Sequence, residues 1–330
     1  MMKKKFMGIV IGAMLIMTFF AVGIPAQIKI SNKLLPTSLP ASSQADVPVW
    51  EQGDTWTYQI DNVTLIVNET GKLFELYLTI NDLPLTVSGV DATTYSLDYA
   101  TTMSGHAKIK TDLGDGLIDA LITFNNVKIS GNIIRDKSTL GVKSISTVFS
   151  GRFWINVIQQ PYIPFKIPTL PFKITINTTS EFSTPFTMLS FPLDTGTFWN
   201  LTATNLTVNG EMRSLWFYFI HFFNSIKEFL PPEIDALLPV VNVKAALDTL
   251  GTGNVFNVPM IPGAFFCLNT ESVTVPAGPY DAYNITIMNG TARCFYAPAA
   301  GNIIKLTGNI QDLIPFITNV NMELKSTNFS

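Results

Sequence analysis

The chain has 330 residues, 47% of them hydrophobic and 14% charged, with a formal net charge of -3. That much apolar material can bury a large core as one big domain or two moderate ones, which excludes a disordered chain; the lack of a basic field excludes nucleic acid as a partner. Thr, Asn and Ser fill the polar positions, and abundant β-branched and aromatic residues favour strands over helices.

The amino end reads MMKKKFMGIVIGAMLIMTFFAVGIPAQ: three lysines, then an uncharged apolar run from Phe6 to about Gln27, with small residues at Ala21, Gly23 and Ala26. Residues 1–27 are therefore expected to be an export signal. The run approaches the ~18 to 20 residues that span a bilayer, so it serves either as a cleaved signal peptide or as an uncleaved N-terminal membrane anchor. Both readings keep Lys3, Lys4 and Lys5 inside and put the rest outside the cell or on its surface. Residues 28–49, rich in Pro, Ser, Ala and Leu without periodicity, are expected to form a flexible linker.

From Trp50 onward the signal has period two. Trp56, Tyr58 and Ile60 alternate, as do Phe74, Leu76, Leu78 and Ile80; Tyr95, Leu97 and Tyr99; Phe153, Ile155 and Val157; and Phe172, Ile174 and Ile176. Such alternation belongs to antiparallel strands with one buried face. Turn chemistry in VNETGK, DLGDG, KISGN and VFSGR is expected to separate them. The prolines of PYIPFKIPTLPFKI (residues 161–174) fit an extended edge or crossover segment, with a peptide-like docking strip for a partner as the alternative. We divide the body into a first β half, residues 50–190, and a second, residues 191–330.

The second half carries an exception, LWFYFIHFFNSI at residues 215–226. On a helical wheel over residues 211–230, Leu215, Tyr218, Phe219, Phe222, Phe223, Ile226, Phe229 and Leu230 fall on one side, with Ser214, His221, Asn224, Ser225 and Glu228 opposite. The pattern predicts an amphipathic helix ended by Pro231 and Pro232, and residues 242–251 (NVKAALDTLG) read as a second, capped helix. The region near 211–250 is thus expected to be a helical insertion in a β protein. Strand signals then resume, with Tyr283, Ile285 and Ile287 on one face.

The only cysteines are Cys267 and Cys294. In an exported chain an even pair is expected to form a disulfide, here flanking a hairpin. Eight N-x-S/T sequons, at Asn62, Asn68, Asn177, Asn200, Asn205, Asn284, Asn289 and Asn328, fit export. Asn62, Asn68, Asn177, Asn284 and Asn289 are expected to carry glycans. Asn62 and Asn68 turn outward if Val63, Leu65 and Val67 turn inward, and Asn284 faces away from Tyr283 and Ile285. On one unbent strand Asn200 and Asn205 would face opposite ways.

Chemistry is hard to find. Ser104 and His106 in MSGHAK lack a nucleophile elbow. Asp112, Asp115 and Asp119 in DLGDGLID lack the spacing of a calcium loop, and two histidines with two cysteines complete no metal site. No cofactor motif is present, and no catalytic residue is assigned.

Four pieces, WEQGDTWTY (residues 50–58), FPLDTGTFW (191–199), ESVTVPAGPYDAY (271–283) and CFYAPAAGNIIKL (294–306), resemble exported prokaryotic proteins of the lipoprotein-carrier (LolA-like) superfamily and its relatives. The resemblance covers about a third of the chain. It implies a curved antiparallel sheet, a half-barrel whose concave apolar face is plugged by helices and takes an acyl chain. The shared rhythm of WEQGDTWTY and FPLDTGTFW adds the expectation of two pseudo-repeats, in which this chain departs from that superfamily. Leu215, Phe219, Phe222, Phe223 and Ile226 would then face the sheet as a lid. The expected protein is a non-catalytic binder of an apolar small molecule or lipid; the alternative is a structural or adhesive surface glycoprotein without a cavity.

Overall fold

The computed structural model describes residues 44–69, 72–112, 117–159, 169–200, 204–214, 256–260, 264–287, 291–309 and 317–330. Residues 1–27, the amphipathic segment from Leu215 onward and the second expected helix lie outside these. The expected helix over 211–230 loses its first turn, because residues 211–214 belong to a strand that ends at Ser214.

Six long strands come first: β1 (Thr55–Glu69), β2 (Lys72–Val90), β3 (Thr94–Asp112), β4 (Leu117–Asp136), β5 (Val142–Gln159) and β6 (Leu170–Phe186). Shorter ones follow: β7 (Phe198–Asn200), β8 (Thr204–Ser214), β9 (Phe256–Met260), β10 (Ala264–Val275), β11 (Gly278–Ile287), β12 (Ala292–Ala297), β13 (Asn302–Gly308) and β14 (Ile317–Thr327). A 3-10 turn, Pro298–Ala300, joins β12 to β13. All fourteen described strands form one curved antiparallel sheet in the order β7-β10-β11-β12-β13-β14-β1-β2-β3-β4-β5-β6-β8-β9.

Two meanders, β1–β6 and β10–β14, meet where β1 pairs with β14. The proposed boundary near residue 190 therefore separates no two sheets. β8 and β9 extend the first meander, while β7 joins the second through β10.

This order forces the sheet to roll. β7 and β8 lie near opposite edges, yet only three residues separate Asn200 from Thr204. Four peptide steps span at most about 14 Å, whereas a flat sheet would hold those strands over 50 Å apart at ~4.8 Å per strand. The link from Met260 in β9 to Ala264 in β10 is equally short and also joins the two margins. The strands therefore wrap round until the edges β7 and β9 come close, leaving a seam between them.

Bulges help the bend. The alternation of β1 slips between Ile60 and Val63, where Asn62 has φ 53°, and that of β4 slips between Phe124 and Val127, where Asn126 has φ 52°. In β2 the buried face moves from Ile80 to Leu83 across Asn81 and Asp82. These slips lie side by side in neighbouring strands, and a bulge adds twist where it sits, so together they crease the sheet. Ser104 Oγ donates to Asn125 Oδ1 at 2.5 Å on this line.

The alternating residues named from the sequence turn to the buried side: Trp56, Tyr58, Ile60, Phe74, Leu76, Leu78, Ile80, Tyr95, Leu97, Tyr99 and Phe153 all belong to one core. Two expected turns are not turns. KISGN lies inside β4 and VFSGR inside β5. A Cβ on Gly131 would meet Ser146 O and the Tyr99 ring, and one on Gly151 would meet the Val127 side chain. These glycines mark close packing across strands, which in one sequence looks the same as a chain reversal.

The linker also ends earlier than expected. Ala45 pairs with Leu193 through N–H···O bonds of 2.9 and 2.8 Å, and both residues are buried. Residues 44–49 thus form a strap on the folded body.

Candidate functional site: the apolar interior

The register of β1–β5 lines apolar residues into continuous rows on the inner face. One row runs Val63, Leu78, Gly105, Phe124, Phe153; the next runs Leu65, Leu76, Ala107, Ile122, Ile155. A third holds Phe74, Ile109 and Ala120. Each exists because the period-two pattern of one strand falls in step with its neighbour's. Phe124 packs on Phe153 at 5.4 Å between ring centroids, and Phe153 on Phe149 at 5.7 Å. Ile109, Ile122, Phe149 and Ile174 are only partly buried, whereas Val63, Leu65, Leu76 and Leu78 are buried.

Beyond the crease the inner face gains hydroxyls. Tyr99 and Thr147 share a hydrogen bond of 2.6 Å, the Tyr99 hydroxyl lies 3.1 Å from Ser146 O, and Thr178 and Ser180 are buried in register beside them. Burial pushes the Tyr99 phenol up to about 12, against the hydrogen bond from Thr147.

An aromatic cluster secures the far end. Trp50 Nε1 donates to Gly301 O at 3.0 Å, Trp56 Nε1 to Ala300 O at 2.6 Å, and the Tyr58 hydroxyl to Ile303 O at 2.8 Å. The Trp50 ring packs on Trp56 and Tyr95 at 4.8 and 5.1 Å and lies 5.7 Å from the Arg135 guanidinium carbon, within reach of a cation–π attraction. Burial pulls Arg135 down to about 10, partly offset by the Tyr58 hydroxyl; burial pushes Tyr58 well above the usual phenol range. Three of the four pieces that carried the resemblance meet here: residues 50–58, 294–306 and, through Phe191 packed edge-on against Tyr296 at 5.4 Å, residues 191–199. The fourth forms the β10–β11 hairpin, whose Ala277 N–H donates to Leu324 O of β14 at 3.1 Å.

The outer face has the opposite character. Lys305 bridges Glu323 at 2.7 Å, Lys143 bridges Asp136 at 3.2 Å and Asn132 donates to Asp98. Burial opposes ionisation of Asp136, but hydrogen bonds from Ser138 and Lys143 outweigh it and hold the carboxyl below its ordinary value. His106 stacks on Tyr77 at 4.9 Å, and Asp119 pairs with Lys110 at 3.1 Å. A membrane barrel turns its apolar side outward, and this sheet does the reverse. No described helix is long and apolar enough to cross a membrane, and the described residues contain no cluster of metal ligands.

The residues named from the sequence fare unevenly. Leu215, Phe219, Phe222, Phe223 and Ile226 lie outside the described residues, as do Asn289 and the side chain of Asn68. Asn62 and Asn177 are exposed. Asn284 is corrected: it sits on the outer side of β11 but is 2% exposed, and its Nδ2 donates to Glu271 Oε1 at 2.9 Å. Asn200 and Asn205 are both exposed, because they belong to different strands.

The disulfide is corrected as well. Cys267 and Cys294 are free, buried thiols, each paired with Ile285 from opposite sides of β11. One whole strand separates them, about 9 to 10 Å at normal spacing, beyond the ~7 Å Cα limit for a bridge. The cysteines do flank the β10–β11 hairpin, but on β10 and β12, with β11 between them.

The sequence reading missed β4 entirely, and with it Ile122 and Phe124; it also passed over Ala107, Ile109 and Arg135. The signal in β4 was present on either side of the bulge, but Asn125 and Asn126 shift its phase. No protein-family model, no curated protein and no solved structure matches the chain.

Proposed function

We propose that this protein is an exported, non-catalytic container for an apolar small molecule, such as a lipid or acyl chain, held inside the rolled sheet. The observation that supports it most is the pairing of inside-out polarity with circumference. About eight strands make a barrel that its own side chains can fill, whereas fourteen, wrapped round as a barrel, would enclose more room than one layer of inward side chains occupies. Apolar rows facing that room and ion pairs facing water suit a hydrophobic guest carried through an aqueous space.

The leader, residues 1–27, would direct export or anchor the container at the cell surface. The amphipathic pattern of residues 211–230, with Leu215, Phe219, Phe222, Phe223 and Ile226 on its apolar side, suits a cover for that apolar face. The half-barrel implied by the resemblance to the lipoprotein-carrier superfamily belongs to this same reading. The alternative, a structural surface protein with a solid interior, draws on the full burial of Val63, Leu65 and Leu78.

Native mass spectrometry of the full chain, purified from its own membrane fraction and then offered cis-parinaric acid, tests the proposal. Co-purified lipid, or saturable one-to-one uptake of the probe, is the expected result. A bare chain that takes up no probe overturns it in favour of the solid interior.

A further inference from the structure

Sorting the sequons by where the fold puts them separates two groups. Asn62, Asn177, Asn200 and Asn205 are exposed. All four lie on the outer face, since their strand neighbours Ile60 and Val63, Ile176, and Trp199 point inward, and Leu206 lies in register with inward-facing Phe182. The other group is occupied by the fold itself. Asn284 is buried against Glu271, whereas Asn328 is exposed but uses both side-chain atoms: its Oδ1 accepts from Thr55 N–H at 2.6 Å and its Nδ2 donates to Gly53 O at 3.0 Å.

Two of the exposed sequons hold a special place. Asn200 ends β7, one edge of the sheet among the described residues, and Asn205 lies on β8, next to β9, the other. Only four residues separate them, so they stand on opposite banks of the seam. A sheet edge invites strand addition from a second copy, and at β7 the exposed Phe198 ring adds an apolar contact for it.

We propose that the outer face is N-glycosylated at Asn62, Asn177, Asn200 and Asn205, and that the sugars on Asn200 and Asn205 guard the seam against pairing with another copy of the chain. The donor is an oligosaccharide linked through its C1 to a polyprenyl phosphate or pyrophosphate. A bond forms between Asn Nδ2 and C1 as the C1–O bond breaks. The lipid phosphate leaves with the electron pair, and one amide proton passes to base. A sugar on Asn284 would have to displace its bond to Glu271 and open the outer side of β11, so the folded chain carries none there.

The inference rests on export, so the test uses full-length protein recovered from outside the cells that make it. Enzymatic removal of N-glycans in heavy-oxygen water, followed by peptide mass spectrometry, should mark Asn62, Asn177, Asn200 and Asn205 and leave Asn284 and Asn328 unmarked. An Asn200→Gln/Asn205→Gln double variant should form several-fold more higher-order species in size-exclusion chromatography than wild type, while Asn62→Gln/Asn177→Gln should not. Unmarked asparagines at the seam of exported protein, or equal association of the two double variants, overturn the inference and leave export standing. A chain found only inside the cell overturns both.

Discussion

The Trp56 indole N–H donates to the Ala300 carbonyl at 2.6 Å, tying β1 to the turn between β12 and β13 across 244 residues of sequence. β13 and β14 lie between those points in the sheet, so the bond forms only because the sheet curls over itself. Trp56 is fully buried. Trp56→Phe keeps most of the apolar area but leaves a buried carbonyl without its donor, at a cost of about 1 to 3 kcal/mol. Calorimetry should show Tm falling by several degrees at unchanged fold. Trp50→Phe, which frees Gly301 O in the same cluster, should lower Tm too, and the double variant should depart from additivity because the two rings touch. An unchanged Tm in Trp56→Phe would mean that Ala300 O has another partner.

The two thiols give a second prediction. Because Cys267 and Cys294 sit on either side of β11, reducing agent should leave Tm unchanged, and alkylation should add two groups only after unfolding. Burial, reinforced by the Asp194 carboxylate, pushes the Cys267 thiol from 9.0 up to about 12, and burial pushes Cys294 up as well. A raised acid pKa favours the neutral form in the folded state. The stability it represents is whole below pH 9 and is lost as pH rises from 9 toward 12, where the unfolded chain ionises first. The slope is about 1.4 kcal/mol per pH unit for each group. Urea melts between pH 9 and 10 should show this fall, and Cys267→Ala/Cys294→Ala should flatten it.

Much of the sheet was legible in the sequence because its inner face is built by strict alternation. Trp56 to Ile60, Phe74 to Ile80 and Tyr95 to Tyr99 announce strands without help from context. Signals that depend on a neighbouring strand were not legible. Gly131 reads as a turn until Tyr99 is known to cover it, and Asn126 breaks the phase of β4 because it sits on a bulge. Cys267 and Cys294 flank a hairpin whose second strand then keeps them apart. Asn284 obeys parity, yet Glu271 takes its amide, a contact between strands that no spacing rule reveals. Of the candidate site, the apolar rows come from alternation, but their joining into a tract comes from register, and register is a property of pairs.

Gly131 supplies a third prediction. A Cβ there would run into Ser146 O and into the Tyr99 ring, whose hydroxyl is held by Thr147. Backbone on one side and a tethered ring on the other leave little room to yield. Gly131→Ala should therefore destabilise by about 1 to 3 kcal/mol, although alanine ordinarily suits a strand interior better than glycine. Gly131→Ala combined with Tyr99→Leu should recover part of the loss, since removing the ring opens one side. A thermal melt showing Gly131→Ala more stable than wild type would contradict the close approach.

Ala107 offers the sharpest test of a hollow interior. It is the smallest side chain in its row, set between Leu76 and Ile122 in register, and it is 5% exposed. In a solid core an indole forced into that position costs about 1 to 3 kcal/mol or more, because close-packed neighbours have nowhere to go. In a container the same ring takes space that a guest would fill. Ala107→Trp should then hold Tm close to that of wild type while lowering cis-parinaric acid uptake by about tenfold, or ~1.4 kcal/mol of binding. Ala107→Val, too small to block the space, should bind like wild type. A large drop in Tm for Ala107→Trp, with no probe uptake by any of the three proteins, would show that the facing walls already fill one another.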